Sequence, residues 1–348
     1  MSESWKAGDR RATVLSVAAC ALLLAACGGG GGSGGAGSGG IGGSSAAPLK
    51  ITEANAKPVA ASALENVASE GTGSTADLVS GLKGLGIGGA ASPTLQVVRS
   101  ASTLAGLAAK RAGLSTTKAA VDESVACPQG GTLRVSGNVA DGETLVAGDQ
   151  VNLIATGCRM LVDGELQTLD GGLSLTVRSG SFASSYPAQA ELALVATSLR
   201  TSTPQYVVEA DGDLLATWSA SAATRESFVF SGTRFTSSLT MSGQTRSITW
   251  RDWRQSVAVD GAQTTLALAA AIEATDGRLG SAPVSYTLTT PVALVQVGSG
   301  LSGELKVTGG GSALLLRLVA PDSATLLVDA NGDGAYERTL AGTQTELR

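Results

Sequence analysis

Asp170-Gly171-Gly172-Leu173-Ser174-Leu175-Thr176-Val177 sets a turn dipeptide in front of a run in which apolar and polar residues alternate. A period of two places Leu173, Leu175 and Val177 on one face of a strand and Ser174 and Thr176 on the other. Asp-Gly favours the positive φ that a tight hairpin requires. The combination recurs from about residue 130 onwards. Short alternating runs stand at Thr132-Leu133-Arg134-Val135, Gln150-Val151-Asn152-Leu153, Gln205 to Glu209, Ser247-Ile248-Thr249-Trp250, Ser285-Tyr286-Thr287-Leu288 and Glu304-Leu305-Lys306-Val307. Turn dipeptides punctuate them at Asp141-Gly142, Gly148-Asp149, Asp163-Gly164, Asp211-Gly212, Asp260-Gly261, Asp276-Gly277, Asn331-Gly332 and Asp333-Gly334. With no helical period between these runs, the expectation is a mainly β domain over residues 121–348, built as an antiparallel meander. A barrel, a curved open sheet and a sandwich all satisfy the pattern, and no strict repeat of fixed length is present.

Before this domain, residues 49–120 read as a small helical segment. Thr52 is placed to cap a helix through Glu53, Val59, Leu64 and Val67, with Pro58 delaying its start or kinking it. Ala76 to Leu85 is a shorter second helix, and a third starts at Pro93 and ends near Gly113. Two readings stand side by side: an arm that packs on the β domain or a partner, and a partly ordered stalk.

The first 26 residues read as an export signal. Lys6, Arg10 and Arg11 precede an apolar run from Ala12 to Leu24, which is too short to span a bilayer and suits the core of a signal peptide. The run ends in Leu24-Ala25-Ala26-Cys27, which resembles the lipobox of bacterial lipoproteins. The resemblance implies cleavage before Cys27 and a diacylglycerol thioether on its sulfur. Residues 28–46 are almost entirely Gly, Ser and Ala, and residues 27–48 are read as the lipidated cysteine and its tether. Such a tether behaves as a coil of roughly 25 Å root-mean-square span. Gly28, where this class uses Asp for inner-membrane retention, points to the outer membrane, with the body in the periplasm or at the surface.

Composition narrows the chemistry. The net charge is −5, scattered without a basic stripe, which argues against a nucleic-acid partner. The chain has no histidine, which removes Ser-His-Asp and Cys-His catalysis and His-ligated zinc. Only four each of Phe, Trp and Tyr are present, too few for the two aromatic girdles of a transmembrane barrel, so the body is read as soluble. Of four cysteines, Cys20 leaves with the leader and Cys27 takes the lipid. Cys127 and Cys158 remain, and an exported protein with two cysteines left over most often pairs them; two free thiols or a metal site are the alternatives. The hairpin that holds them, CPQGGTLRVSGN with AGDQVNLIATGC downstream, resembles segments of uncharacterised β-rich lipoproteins of Gram-negative bacteria. That resemblance implies no activity.

Three local patterns are candidate sites. Asp329, Asn331, Asp333 and Glu337 fall in Asp329-Ala330-Asn331-Gly332-Asp333-Gly334-Ala335-Tyr336-Glu337, close to the first part of a calcium loop. Oxygens at positions 1, 3 and 5 converge on one ion and Gly334 permits the turn, but Leu340 stands where the bidentate Glu belongs. Either a weak calcium site or a bare hairpin satisfies it, and no other cofactor is expected. Trp250, Asp252 and Arg254 would share one face of a strand, where they would either bind a sugar or split between core and cross-strand pairs. Asp211 and Asp213 are close, but Asp211-Gly212 reads as a turn, so no catalytic residue is nominated. The expected function is a membrane-anchored envelope lipoprotein with a non-enzymatic structural or binding role. A carrier of an apolar ligand in a β cavity and a carboxylate-based hydrolase are the alternatives.

Overall fold

A computed structural model describes residues 46–71, 119–139, 146–162, 165–181, 186–222, 224–297 and 300–347. The alternating runs become β2 (Ala119–Ala126), β3 (Thr132–Val139), β4 (Gln150–Val162), β5 (Glu165–Gly180), β6 (Ala188–Ser202), β7 (Tyr206–Ala222), β8 (Arg225–Met241), β9 (Gln244–Asp260), β10 (Gln263–Thr275), β11 (Val284–Val297), β12 (Gly300–Gly309), β13 (Ser312–Val319), β14 (Ser323–Asp329) and β15 (Arg338–Thr343). They form one antiparallel sheet in sequence order, from β2 at one edge to β15 at the other, and the sheet does not close. A short parallel strand, β1 (Ala47–Pro48), joins the start of β11. Of the three architectures compatible with the sequence, this is the open one.

Alternation decides which face is buried. Along β6, Ala190, Leu192, Leu194 and Ala196 are buried; along β10, Leu266, Leu268, Ala270, Ile272 and Ala274 are. These side chains belong to one continuous apolar cluster that runs from Leu133 to Leu347. The other face carries cross-strand ion pairs such as Arg134–Asp122 and Arg251–Glu273, both 2.9 Å, which add little in water.

Two expected turns are not turns. Asp170-Gly171 lies inside β5 and Asp211-Gly212 inside β7. Both belong to a belt of β-bulges that crosses the sheet. The ladder slips between Ala155 and Cys158 in β4, between Asp170 and Gly172 in β5, and between Ala196 and Leu199 in β6. It slips again between Gly212 and Leu215 in β7, and at the same level onward to β11 and β12. Gly157, Gly171, Ser198, Gly212, Asp252 and Gly303 all have positive φ at this level. A bulge adds a residue and leaves backbone groups off the ladder, bending the strand. Here the released N–H groups find side chains instead. Asp170 accepts from Gly157 N at 2.6 Å, Asp211 from Ser198 N at 3.0 Å, and Thr290 Oγ1 from Leu268 N at 2.8 Å. The Asp-Gly pairs were legible as sites of positive φ, but a bulge meets that need as well as a hairpin does.

Residues 49–71 are not apart from the sheet; they belong to the same compact unit as the described strands. A 3-10 turn (Glu53–Asn55) leads into α1 (Ala56–Gly71). The Thr52 N–H donates to Asn55 Oδ1 at 2.8 Å, closing the entry. Pro58 falls in the first turn, where its missing N–H is tolerated. Ala56, Val59, Ala60, Ala63, Leu64 and Val67 are buried at helical spacing, and the helix lies over β12, β13 and β14. The second and third expected helices, and the turns at Asp141-Gly142 and Asp163-Gly164, lie outside the described residues.

Candidate functional site

The β14–β15 connection, residues 330–337, holds the calcium-like pattern at one end of the sheet. Asp329, the last residue of β14, is buried, with its carboxylate turned into the loop. It accepts from Gly332 N at 2.6 Å and Gly334 N at 3.0 Å. Asn331 Oδ1 accepts from Asp333 N, and Asp333 Oδ1 from Ala335 N, both at 2.8 Å. Glu337 Oε2 accepts from Ala330 N at 3.0 Å. One carboxylate oxygen from each of Asp329, Asp333 and Glu337 lies within 4.8 Å of the others. The three acids thus converge as a hard cation requires, while each also holds the loop's own N–H groups as an ordinary Asx-type turn does. Leu340, in place of a twelfth-position ligand, packs on the core instead. The Nζ of Lys50 donates to Ala330 O at 2.6 Å, so the segment entering from the amino-terminal side is pinned against this loop.

The tryptophan strand is rearranged by the bulge belt. Asp252 has φ 45° and no partner in the β8 or β10 ladders. The extra residue turns Trp253 to the same face as Trp250, and both are buried with ring centroids 6.0 Å apart. Asp252 and Arg254 are exposed. The expectation that Trp250, Asp252 and Arg254 share a face is therefore corrected, and the sugar-binding surface built on it disappears with it.

Asp211 and Asp213 turn to different neighbours. Asp211 caps Ser198 of β6, while Asp213 accepts from Thr233 Oγ1 at 2.8 Å and Thr233 N at 3.2 Å on β8. Partial burial raises the Asp213 carboxyl, but the Thr233 and Arg234 hydrogen bonds outweigh it and hold the group below its ordinary range. Nothing in this pair resembles two carboxyls facing across a cleft.

No family model, curated protein or solved structure matches this chain. What the site does rests on its geometry alone.

Cys127 and Cys158 are joined, with Cα atoms 5.4 Å apart and a sequence separation of 31. Cys127 opens the β2–β3 turn. Cys158 lies inside β4, which continues to Val162, and the turn lies against that extension through Arg159 N to Gly130 O at 2.8 Å. The bridge therefore ties three strands rather than closing one hairpin.

One cluster is not visible from the sequence. Under α1, Ser62 Oγ donates to Asp276 Oδ2 at 3.0 Å, and Arg278 Nη2 reaches Asp276 Oδ2 and Glu65 Oε2, each at 2.6 Å. Arg246 Nη1 closes the group on Glu65 at 3.0 Å. Asn66 donates to the buried Tyr286 hydroxyl at 3.1 Å. Burial works to raise the Asp276 carboxyl, yet the hydrogen bonds and charge of Arg278 hold it below the carboxylate range. The group surrounds a hollow of about 110 Å³, enough for a few waters. A second hollow of about 620 Å³ opens at the ends of β6 to β9, lined by small residues such as Ala188, Ala220 and Ser227 with Arg225 and Asp260 on its rim.

Proposed function

We propose that this chain is a bacterial envelope lipoprotein, cut before Cys27, acylated there, and carrying its β unit on the Gly/Ser tether in a non-enzymatic binding or structural role. The observation that supports the non-enzymatic part is where the conspicuous polar side chains go. Asp170, Asp211 and Asp213 hold bulges, and Asp276 holds a helix to a sheet. Each is tied to a structural donor, and only Asp276 also borders a hollow, the small one under α1. The anchoring part is supported by the lipobox and by the way the chain enters the fold. Ala47 and Pro48, the last two residues of the segment read as tether, pair with Val284 and Ser285 as β1. No helix among the described residues is long and apolar enough to cross a membrane, so the lipid is the proposed means of attachment.

The test is metabolic labelling of the full chain with a tagged fatty acid in a Gram-negative host. The wild type is expected to carry label on Cys27, and Cys27→Ser to carry none and to accumulate as unprocessed precursor. Equal labelling of the two proteins refutes the reading.

A further inference from the structure

The tether enters the fold at one definite end of the sheet. Ala47 pairs with Val284 and Leu49 N donates to Ser285 O at 2.8 Å, at the start of β11. Followed through the ladder, that end is also where β4 turns into β5, β6 into β7, and β8 into β9. Large apolar side chains stand in water there. Leu161 is 58% exposed and Leu166 42%, and the two are direct cross-strand partners. Met241, 55% exposed, is the cross-strand partner of Tyr206. The two pairs stand two strands apart along the same end, since Thr168 of β5 pairs with Ser202 of β6 and Ser202 with Val207 of β7, and they project from opposite faces of the sheet, Leu161 and Leu166 from the outer face and Tyr206 and Met241 from the buried one. A strand end tipped with exposed Leu and Met on its two faces, together with a half-buried Tyr, has the composition of an edge-on membrane-interface contact.

We propose that this strand end, with Leu161, Leu166, Tyr206 and Met241 foremost, rests on the bilayer that holds the acyl chains of Cys27. The proposal depends on the lipoprotein reading and adds an orientation to it. From β11 to β5 is six strand spacings, roughly 29 Å along the sheet, comparable with the roughly 25 Å span of a 19-residue Gly/Ser coil. The lipid therefore holds this end, and not the opposite one, within reach of the membrane at high local concentration. The opposite end supplies an internal control, since Val297 and Val319 are each 59% exposed there but lie a strand's length from where the tether joins.

Met241 is itself the reporter. Of the three methionines, Met1 belongs to the leader and Met160 is buried. The purified full-length product is reconstituted into phosphatidylethanolamine–phosphatidylglycerol vesicles and treated with dilute peroxide, and Met241 sulfoxide is followed by peptide mass. The same digest reports the acyl group on Cys27. Oxidation of Met241 on vesicles is expected to be at least about fivefold slower than for the same chain made without residues 1–26 and with Cys27→Ser, in solution. Leu161→Asp with Leu166→Asp is expected to remove most of that protection, and Val297→Asp with Val319→Asp to leave it intact. An acylated Cys27 with Met241 oxidised equally fast on vesicles and in solution overturns the membrane contact and leaves the lipoprotein standing. A Cys27 without acyl group overturns both.

Discussion

At Gly212 the backbone has φ 131°, and a Cβ there would run into the carbonyl oxygen of Arg234 on the next strand. Gly171 is placed the same way against Ser198. Positive φ and close backbone approach are separate reasons for glycine, and at these two positions both apply. Gly148 has φ 93° with open space around its missing side chain, so only the first applies. Gly212→Ala is therefore expected to cost about 2–4 kcal/mol and Gly148→Ala about 1 kcal/mol, read from urea denaturation midpoints. Equal costs would mean that the bulge belt yields easily. Asp329 gives a second residue-level test. Its two oxygens already accept from the Gly332 and Gly334 N–H groups, and one of them lies within 4.8 Å of an oxygen of Asp333 and of Glu337. If the loop takes calcium with Kd on the order of 10⁻⁴–10⁻³ M, then 10 mM calcium stabilises the fold by about 1.4–2.7 kcal/mol. A rise in melting temperature with calcium is expected in the wild type and not in Asp329→Ala. A wild-type curve that calcium leaves unmoved identifies the loop as a turn.

The element that most needs explaining is α1. Its apolar stripe through Val59, Leu64 and Val67 was legible from helical spacing, and so was Pro58 near its start. Its landing place was not, because Asp276-Gly277 reads locally as one more turn, and no sequence period connects residue 62 with residue 276. The bulged strands show the same boundary of inference. Leu173, Leu175 and Val177 alternate as read, but a dipeptide that tolerates positive φ does not say whether the chain reverses or only kinks. Trp253 faces the core because of a single inserted residue at Asp252, and a period-two reading carries no sign of that insertion. The Asp276–Arg278–Glu65 group makes a prediction for the helix. Removing a buried carboxylate leaves Arg278 with Glu65 alone and Ser62 without its acceptor, so Asp276→Ala is expected to destabilise by about 2–4 kcal/mol at neutral pH. The pH dependence follows from the sign of the shift. The folded Asp276 carboxyl titrates below its unfolded value, so its contribution is complete above the ordinary carboxylate range, near 4, and is lost as pH falls through the lower folded value. Between pH 5 and pH 2 the wild type is expected to lose its advantage over Asp276→Asn. A constant difference between the two across that window would show that the ion pair contributes nothing.

At the scale of the whole molecule, apart from the short β1 on β11, every strand from β2 to β15 pairs only with its neighbours in sequence, so the sheet is stabilised by a chain of nearest-neighbour interfaces. Such an arrangement opens from its ends, because an edge strand gives up one interface while a central strand gives up two. The two ends are secured differently. The β12–β14 end is covered by α1 and by Gln344, whose buried amide donates to Leu301 O at 2.7 Å and Val319 O at 3.2 Å. The β2–β4 end has the Cys127–Cys158 bridge. Closing a loop of that length stabilises the fold by roughly 3–4 kcal/mol in the chain-entropy view. Reduction should therefore act locally. Hydrogen exchange followed by mass spectrometry is expected to show the slowest amides in β7 to β11, and reductant is expected to speed exchange in β2, β3 and β4 while leaving β10 to β14 unchanged. The same treatment applied to Asp276→Ala should do the reverse, loosening the strands under α1 and sparing the disulfide end. If either perturbation instead raises exchange uniformly from β2 to β15, the sheet unfolds as one cooperative body, and the apolar cluster that runs beneath all of it, rather than the strand-to-strand interfaces, sets its stability.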